Sequence, residues 1–160
     1  MANFDTDFNN FYMHMALAEA RLAYLEGEVP VGCVIVNHLT NTVISSAHNM
    51  SQQGNNPNLH AEMIAIDMAC KKINNKTLLN CDIYITLEPC TMCASAISNA
   101  RIARMYYAAS DEKQGAVENG VRFYTTNSCF YRPEIYSGIQ RLESETIIAS
   151  FFSKLRKNKL

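Results

Sequence analysis

No stretch of the chain approaches the roughly 18 consecutive apolar residues that a membrane-spanning helix needs, so no membrane partner is expected. The segment Met1 to Asp7 contains two acids and no apolar core, the wrong composition for a secretory signal. A cytoplasmic, reducing setting follows as the expectation, and disulfides are not expected there. The six cysteines then read as small buried hydrophobes, metal ligands or nucleophiles. Internal repeats, Gly/Ser-rich linkers and internal blocks of like charge are also missing, so residues 1–160 are expected to form one domain. Net charge is small as well: 14 Lys and Arg against 15 Asp and Glu leave −1 at pH 7. Bulk charge therefore does not announce a nucleic-acid partner, which has to be sought in a local basic patch. What is present is an ordinary globular composition. With 48% apolar and 18% charged residues over 160 positions, the chain is long enough to bury a core.

Apolar periodicity lays out helices and strands in alternation. Phe8, Phe11, Met15, Ala18, Leu22 and Leu25 step by three and four and predict one buried helical face. Asp5, Thr6 or Asp7 is expected to cap its start, and Gly27 its end. Val31 to Val36 is apolar and β-branched, a buried strand. A polar turn from Asn37 to Asn41 leads to its hairpin partner, Thr42 to Ala47. Asn49 to Asn58, rich in Asn, Gln, Gly and Pro, reads as loop. A second helix is expected from about Leu59 to about Ile73, with Met63, Ile66 and Cys70 on one side. Asp82 to Leu87 is a third strand, and Pro89 opens a short helix through Ala96. Arg104 to Ala109 is a fourth strand, and Ser110 to Thr126 reads as loop with a helical turn. A fifth strand is expected at Ile135 to Ile139. A last helix, Gln140 to Lys157, turns Leu142, Ile148, Phe152 and Leu155 inward. The alternation predicts α/β layers around a sheet, and the opening hairpin makes that sheet mixed.

Two short segments carry chemistry: His60-Ala61-Glu62 and Pro89-Cys90-Thr91-Met92-Cys93. Both sit at predicted helix starts, where the positive helix end favours a thiolate. Cys90 and Cys93 share a helix face and can grip one ion; His60 adds a nitrogen from another helix. Two thiolates and an imidazole suit Zn2+, and three protein ligands leave the fourth position open, the mark of a catalytic rather than a structural site. Zinc lowers the pKa of water in that position toward about 7, and Glu62 is then the proton shuttle. Residues two apart in mid-helix point away from each other, so His60 and Glu62 converge only if the helix begins right at His60. H-x-E followed by P-C-x-x-C is the general signature of the zinc deaminases that act on nucleobases.

Blander readings stand beside this one. A C-x-x-C pair alone is weak, and Cys33, Cys70, Cys81 or Cys129 as a fourth ligand would close the site as a structural zinc. That reading leaves Glu62 without a purpose; the four cysteines read instead as small hydrophobes. His14, His38 and His48 have no partner at ligand spacing and read as surface or loop residues. Met63, Met68, Met92 and Met105 read as core filler. Lys154, Arg156, Lys157 and Lys159 are four of the last seven residues. They can hold phosphates, but basic residues also suit any helix C-terminus. Arg122 and Arg132 are candidates to extend that patch.

Over nearly its whole length the chain resembles the bacterial tRNA-specific adenosine deaminases. The resemblance rests on Glu28-Val29-Pro30-Val31-Gly32, the two zinc segments, Arg101-Ile102, Lys113-Gln114-Gly115-Ala116, and Phe151-Phe152 with Leu155-Arg156. It implies a cytidine deaminase-like three-layer α/β/α fold with a mixed five-stranded sheet, one Zn2+ per subunit and a homodimer. It implies conversion of adenosine to inosine at the wobble position of a tRNA anticodon stem-loop. It further implies base binding by Asn49 and RNA contacts by Phe151, Phe152, Arg156 and Lys159. One departure stands out: Asn56-Pro57-Asn58-Leu59 precedes His60 where the family usually has Asp-Pro-Thr-Ala. Rival readings are a zinc deaminase of free guanine, cytosine or a nucleoside, a non-catalytic RNA-binding subunit with structural zinc, and a bare zinc module that binds a protein.

Overall fold

The structure is a computed structural model and describes residues 4–159, with side chains from residue 7 onward. Residues 1–3, part of the segment judged unlike a signal peptide, lie outside the described residues. The elements in order are α1 (Phe4–Leu25), β1 (Gly32–Asn37), β2 (Thr42–His48), α2 (Ala61–Ile73), β3 (Cys81–Leu87), α3 (Thr91–Asn99), β4 (Arg104–Ala109), a 3-10 turn (Phe123–Thr125), β5 (Glu134–Ser137) and α4 (Arg141–Asn158). The strands form one sheet in the order β2-β1-β3-β4-β5. The expected hairpin makes β1 antiparallel to β2, and β1 is antiparallel to β3 as well. β3, β4 and β5 run parallel.

Strand alternation sorts the core into two clusters, one on each face of the sheet. Cys33, Ile35, Ile83, Ile85, Met105 and Tyr107 pack with Ala61, Ala65 and Ala69 of α2 and Ala94 and Ile97 of α3. Val34, Val36, Tyr84, Tyr106 and Ala108 pack with Tyr12, Met13, Ala16 and Leu17 of α1. Ile147 of α4 joins that second cluster. The result is a three-layer α/β/α arrangement around a mixed five-stranded sheet.

The outer layer corrects two helix faces. Phe8, Phe11, Ala18, Leu22 and Leu25, expected inside, are exposed, and the buried side of α1 is Tyr12, Met13, Ala16, Leu17, Ala20 and Ala23. Size rather than hydrophobicity chose this face. α1 lies so close to β1 that a Cβ on Gly32 would strike the carbonyl of Ala16 and sit 2.7 Å from the Ala20 nitrogen, and only small residues allow that approach. In α4, Leu142, Phe152 and Leu155 are exposed, whereas Ser144 and Phe151 are buried. Ser144 is tolerated inside because its hydroxyl donates to the Thr86 carbonyl. Met68 is exposed too, while Met105 is fully buried as expected.

Helix ends position the site. Asp5, Thr6 and Asp7, expected to cap the start of α1, lie within the helix, which is described from Phe4. Gly27 does end it: at φ +79° its N–H donates to the Tyr24 carbonyl, and that of Glu28 to the Ala23 carbonyl. This stop turns Glu28 inward. β3 and β4 aim their C-terminal ends at the same edge as the N-termini of α2 and α3, the place where open α/β sheets bind ligands.

Candidate active site

His60 is the N-cap of α2, with extended backbone at φ −75° and ψ 152°, and the helix proper begins at Ala61. The condition for His60 and Glu62 to converge is thus met, because the bend at the cap swings the imidazole toward the first-turn carboxylate. Cys90 is likewise the N-cap of α3. Pro89 therefore precedes the cap instead of occupying the first turn, and α3 runs on to Asn99 rather than stopping at Ala96. The Nδ1 atom of His60 stands 3.7 Å from Cys90 Sγ and 3.5 Å from Cys93 Sγ. All three ligand atoms lie within 4.8 Å of one another. A tetrahedral zinc with Zn–S near 2.3 Å and Zn–N near 2.05 Å places sulfur and nitrogen about 3.6 Å apart, so the donor set and its spacing fit Zn2+. Among the described residues no other group of three His, Cys, Asp or Glu shares this geometry. Cys33, Cys70, Cys81 and Cys129 stay outside it as free cysteines.

The electrostatics suit a dication. A hydrogen bond from the Cys93 thiol, helped by His60, holds Cys90 down to about 4, and the same bond with burial pushes Cys93 up. The pair thus shares one negative charge, and a metal displaces the remaining proton. Glu62 is 4% exposed. Burial, with the Cys90 thiolate adding, raises its carboxyl above the usual range. A raised pKa brings a carboxyl nearer to the range in which it can both take up and release a proton.

A cleft of ≈ 150 Å³ opens beside these residues, walled by Val29, Val31 and Leu87 and reached by Asn49, Glu62, Asp111 and Gln114. Asn49 follows β2 directly, and its N–H donates to the Val31 carbonyl. Its Nδ2 donates to Glu28 Oε2 at 3.3 Å and to Ser51 Oγ at 3.4 Å. The amide oxygen keeps its acceptor capacity for a base edge.

Two buried carboxylates that carry no motif signal, Glu28 and Glu88, brace the loops around the cleft. Glu28, 0% exposed, also accepts the backbone N–H groups of Gln52 and Gln53 at 3.1 and 2.7 Å. Glu88 accepts Ser110 Oγ–H, the N–H groups of Asp111, Val117, Glu118 and Asn119, and Asn119 Nδ2. Gly115 is required beneath this staple, since a Cβ there would sit 2.6 Å from Glu88 Oε2. The available signal was an acid set directly against an apolar strand or motif; its partners, some 20 to 30 positions away, are not local. Burial works against ionised Glu88, but its donors prevail and hold its pKa below the usual value. Its contribution is therefore full above the ordinary carboxylate range and is lost as pH falls through the lowered value. Glu88→Ala strands several donors and is expected to cost roughly 3 kcal/mol or more, read as a lowered urea midpoint with unchanged m-value.

The departure before His60 is absorbed locally. Asn56 Oδ1 accepts the Asn58 N–H at 2.9 Å, a role open to Asp or Asn alike, and Leu59 exchanges backbone bonds with Met50 and Asn56. The histidines divide. His14 is exposed, but His38 and His48 are not simple surface residues: His38 meets Asp82 at 3.0 Å, and His48 bridges Glu19 and Glu26. Phe151 is buried, packed edge-on against Tyr24, so of the aromatic pair only Phe152 presents a surface. Arg156 and Lys159 are exposed at the end of α4, and Lys154 lies 5.5 Å over the Tyr24 ring.

Three convergent donors of a kind that suits zinc and a buried acid beside them, on this fold, fit a zinc-dependent hydrolytic deaminase. The family described as the cytidine and deoxycytidylate deaminase zinc-binding region matches residues 6–109. The chain is 53% identical to the tRNA-specific adenosine deaminase of Rickettsia typhi, over 90% of this chain and 97% of that one. It is 47% identical to that of Agrobacterium fabrum, over 91% and 94%. A solved structure from work on A-to-I editing by deaminases at the wobble position of transfer RNA superposes with a TM-score of 0.83 at 47% identity, covering 86% of this chain and 98% of that one. The chain belongs to the tRNA-specific adenosine deaminases, a branch of the zinc-binding cytidine and deoxycytidylate deaminase family.

Proposed function

We propose that the protein hydrolyses adenosine to inosine at the wobble position of a tRNA anticodon, releasing ammonia. The observation that carries this reading is the buried Glu62 beside the His60–Cys90–Cys93 cluster, in one cleft with Asn49. Zinc, when bound, supplies the Lewis acidity that lets water ionise near neutral pH. The target nucleotide leaves its stack and enters the cleft, where Asn49 meets the base edge. Glu62 accepts the proton of the attacking water and delivers it to N1 of adenine as oxygen adds at C6. It then takes the remaining proton from the hydroxyl added at C6 and passes it to the departing amino group, so water and adenosine become inosine and ammonia. The apolar walls, Val29, Val31 and Leu87, exclude bulk water from this transfer.

Contact with the stem-loop is assigned to Phe152, Arg156 and Lys159 on the free end of α4, where exposed cations suit phosphates. Phe151 supports them from below. A homodimer with one zinc per subunit, residues 1–160 acting as a single domain, and a cytoplasmic location belong to the same reading, which the family resemblance supports. No helix among the described residues is long and apolar enough to cross a membrane.

The test incubates the zinc-loaded protein with an anticodon stem-loop bearing a wobble adenosine, beside free adenosine, cytosine and guanine. Inosine in the stem-loop with little small-molecule turnover is the expected result. Turnover of a free base with untouched RNA would overturn the substrate.

A further inference from the structure

His48 is the last residue of β2 and precedes Asn49 in the chain. Its side chain is 15% exposed, and both ring nitrogens are engaged: Nδ1 lies 2.7 Å from Glu19 Oε2 and Nε2 lies 2.9 Å from Glu26 Oε2. A neutral imidazole has one N–H and one lone pair, and an ionised carboxylate only accepts. Two short contacts to two carboxylates therefore require the doubly protonated, cationic ring. Both glutamates come from the α1 side, Glu19 within the helix and Glu26 just past its end. The same Glu26 oxygen accepts Gln53 Nε2 at 2.9 Å. The turn from Asn49 to Gln53 is thus held twice, by Glu28 within and by the His48–Glu26 contact at its rim.

We propose that His48, kept cationic between Glu19 and Glu26, is a positioning residue that locks Asn49 and the 49–53 turn against α1 and so sets affinity for the substrate base. This rests on the proposed role of Asn49 in base binding. The charged groups facing the ring are Glu19 and Glu26. β1 presents Gly32 at the same register, the 49–53 turn presents neutral Gln53, and α2 lies on the other face of β2, where Ser45 donates to the Ala65 carbonyl. Burial opposes the charge on the ring, but the two carboxylates outweigh it and hold the pKa above the ordinary histidine value. Glu26 is in turn held below the usual carboxylate range, chiefly by its hydrogen bond with His48. The clamp is complete below the unfolded histidine's pKa and opens as pH rises through the raised folded value. Above it one contact turns repulsive, and two carboxylates face each other across a neutral ring.

The experiment measures KM and kcat on the wobble-adenosine stem-loop across neutral pH, for the zinc-loaded full chain and for His48→Gln, His48→Arg and Glu26→Gln. It also follows the His48 ring titration and the amide exchange of Gln52 and Gln53 by NMR. In the native chain KM is expected to rise with pH by roughly tenfold, the worth of one charge-assisted hydrogen bond, with kcat little changed. His48→Gln should show the high KM throughout and faster exchange at both amides. His48→Arg, always charged and able to donate to both carboxylates, should restore the low KM and remove its pH dependence; a ring that merely filled space would not be rescued this way. Glu26→Gln changes an exposed side chain and keeps the test open if the His48 variants do not fold; it should lower the ring pKa and weaken protection of Gln53. An unshifted ring pKa in Glu26→Gln, or exchange and KM unmoved in His48→Gln, overturns the proposal. A native chain that leaves the stem-loop untouched overturns the substrate reading instead, and the exchange data still decide the clamp.

Discussion

Glu62→Ala is expected to lose about 10²- to 10⁴-fold in kcat, the range for removing a positioned general acid–base group, while zinc stays at the native content. The two halves of that result come from different atoms. The donors that would hold zinc are His60 Nδ1, Cys90 Sγ and Cys93 Sγ, and the substitution removes none of them. The proposed proton carrier is a carboxyl in the first turn of α2 whose pKa burial raises, and alanine leaves nothing there to ferry protons between water, N1 and the leaving ammonia. KM should move less than kcat, because the shuttle acts on charge that develops after binding. Metal analysis beside steady-state kinetics checks both halves. Loss of zinc in this variant would make Glu62 a structural prop, and retained activity with retained zinc would assign proton transfer to another group.

Cys93→Ala is expected to abolish activity by another route, through loss of the metal itself. Cys93 is fully buried in the first turn of α3, and without it only one thiolate and one imidazole remain. Because site formation and folding are coupled, the variant should surrender zinc under dialysis that the native chain survives. Its melting temperature should fall, because it loses the stabilisation that a ligand bound only to the native state supplies. Cys70→Ala is the matched control. That sulfur is free and half-buried and lies outside the cluster, so zinc and activity should persist. Zinc loss in Cys70→Ala would point to a closed four-ligand site and a structural metal.

The clustered donors were legible in the sequence because each segment is local: H-x-E and P-C-x-x-C each fall at one helix start, although the turn of His60 toward Glu62 depended on the helix beginning at Ala61. The hairpin and the parallel strands were legible for the same reason, since β-branched runs and polar turns are short-range signals. What escaped was long-range or a matter of fit. Glu88 looked like a neighbour of the motif, yet its donors lie in residues 110–119, which only the folded chain brings back. His48 looked solitary because its partners sit on α1, joined to it by sheet packing and not by spacing. The face of α1 was misassigned because periodicity ranks large apolar residues first, whereas the close approach at Gly32 admits Ala16 and Ala20 and turns Phe11 and Leu25 outward. Periodicity turns Phe152 inward, but the buried face of α4 lies one residue out of that phase, so Phe151 packs against Tyr24 and Phe152 stays at the surface.

The central claim is hydrolysis at one adenosine of a folded RNA, with solvent water as the oxygen donor and Glu62 as the proton carrier. The most direct test runs the reaction on the anticodon stem-loop in isotopically labelled water and maps the product by mass spectrometry. Inosine is expected at the wobble position alone, carrying solvent oxygen at C6 with the native chain, and formed at least about a hundredfold more slowly with Glu62→Ala. Inosine spread over other adenosines, or formed equally well by Glu62→Ala, would contradict it.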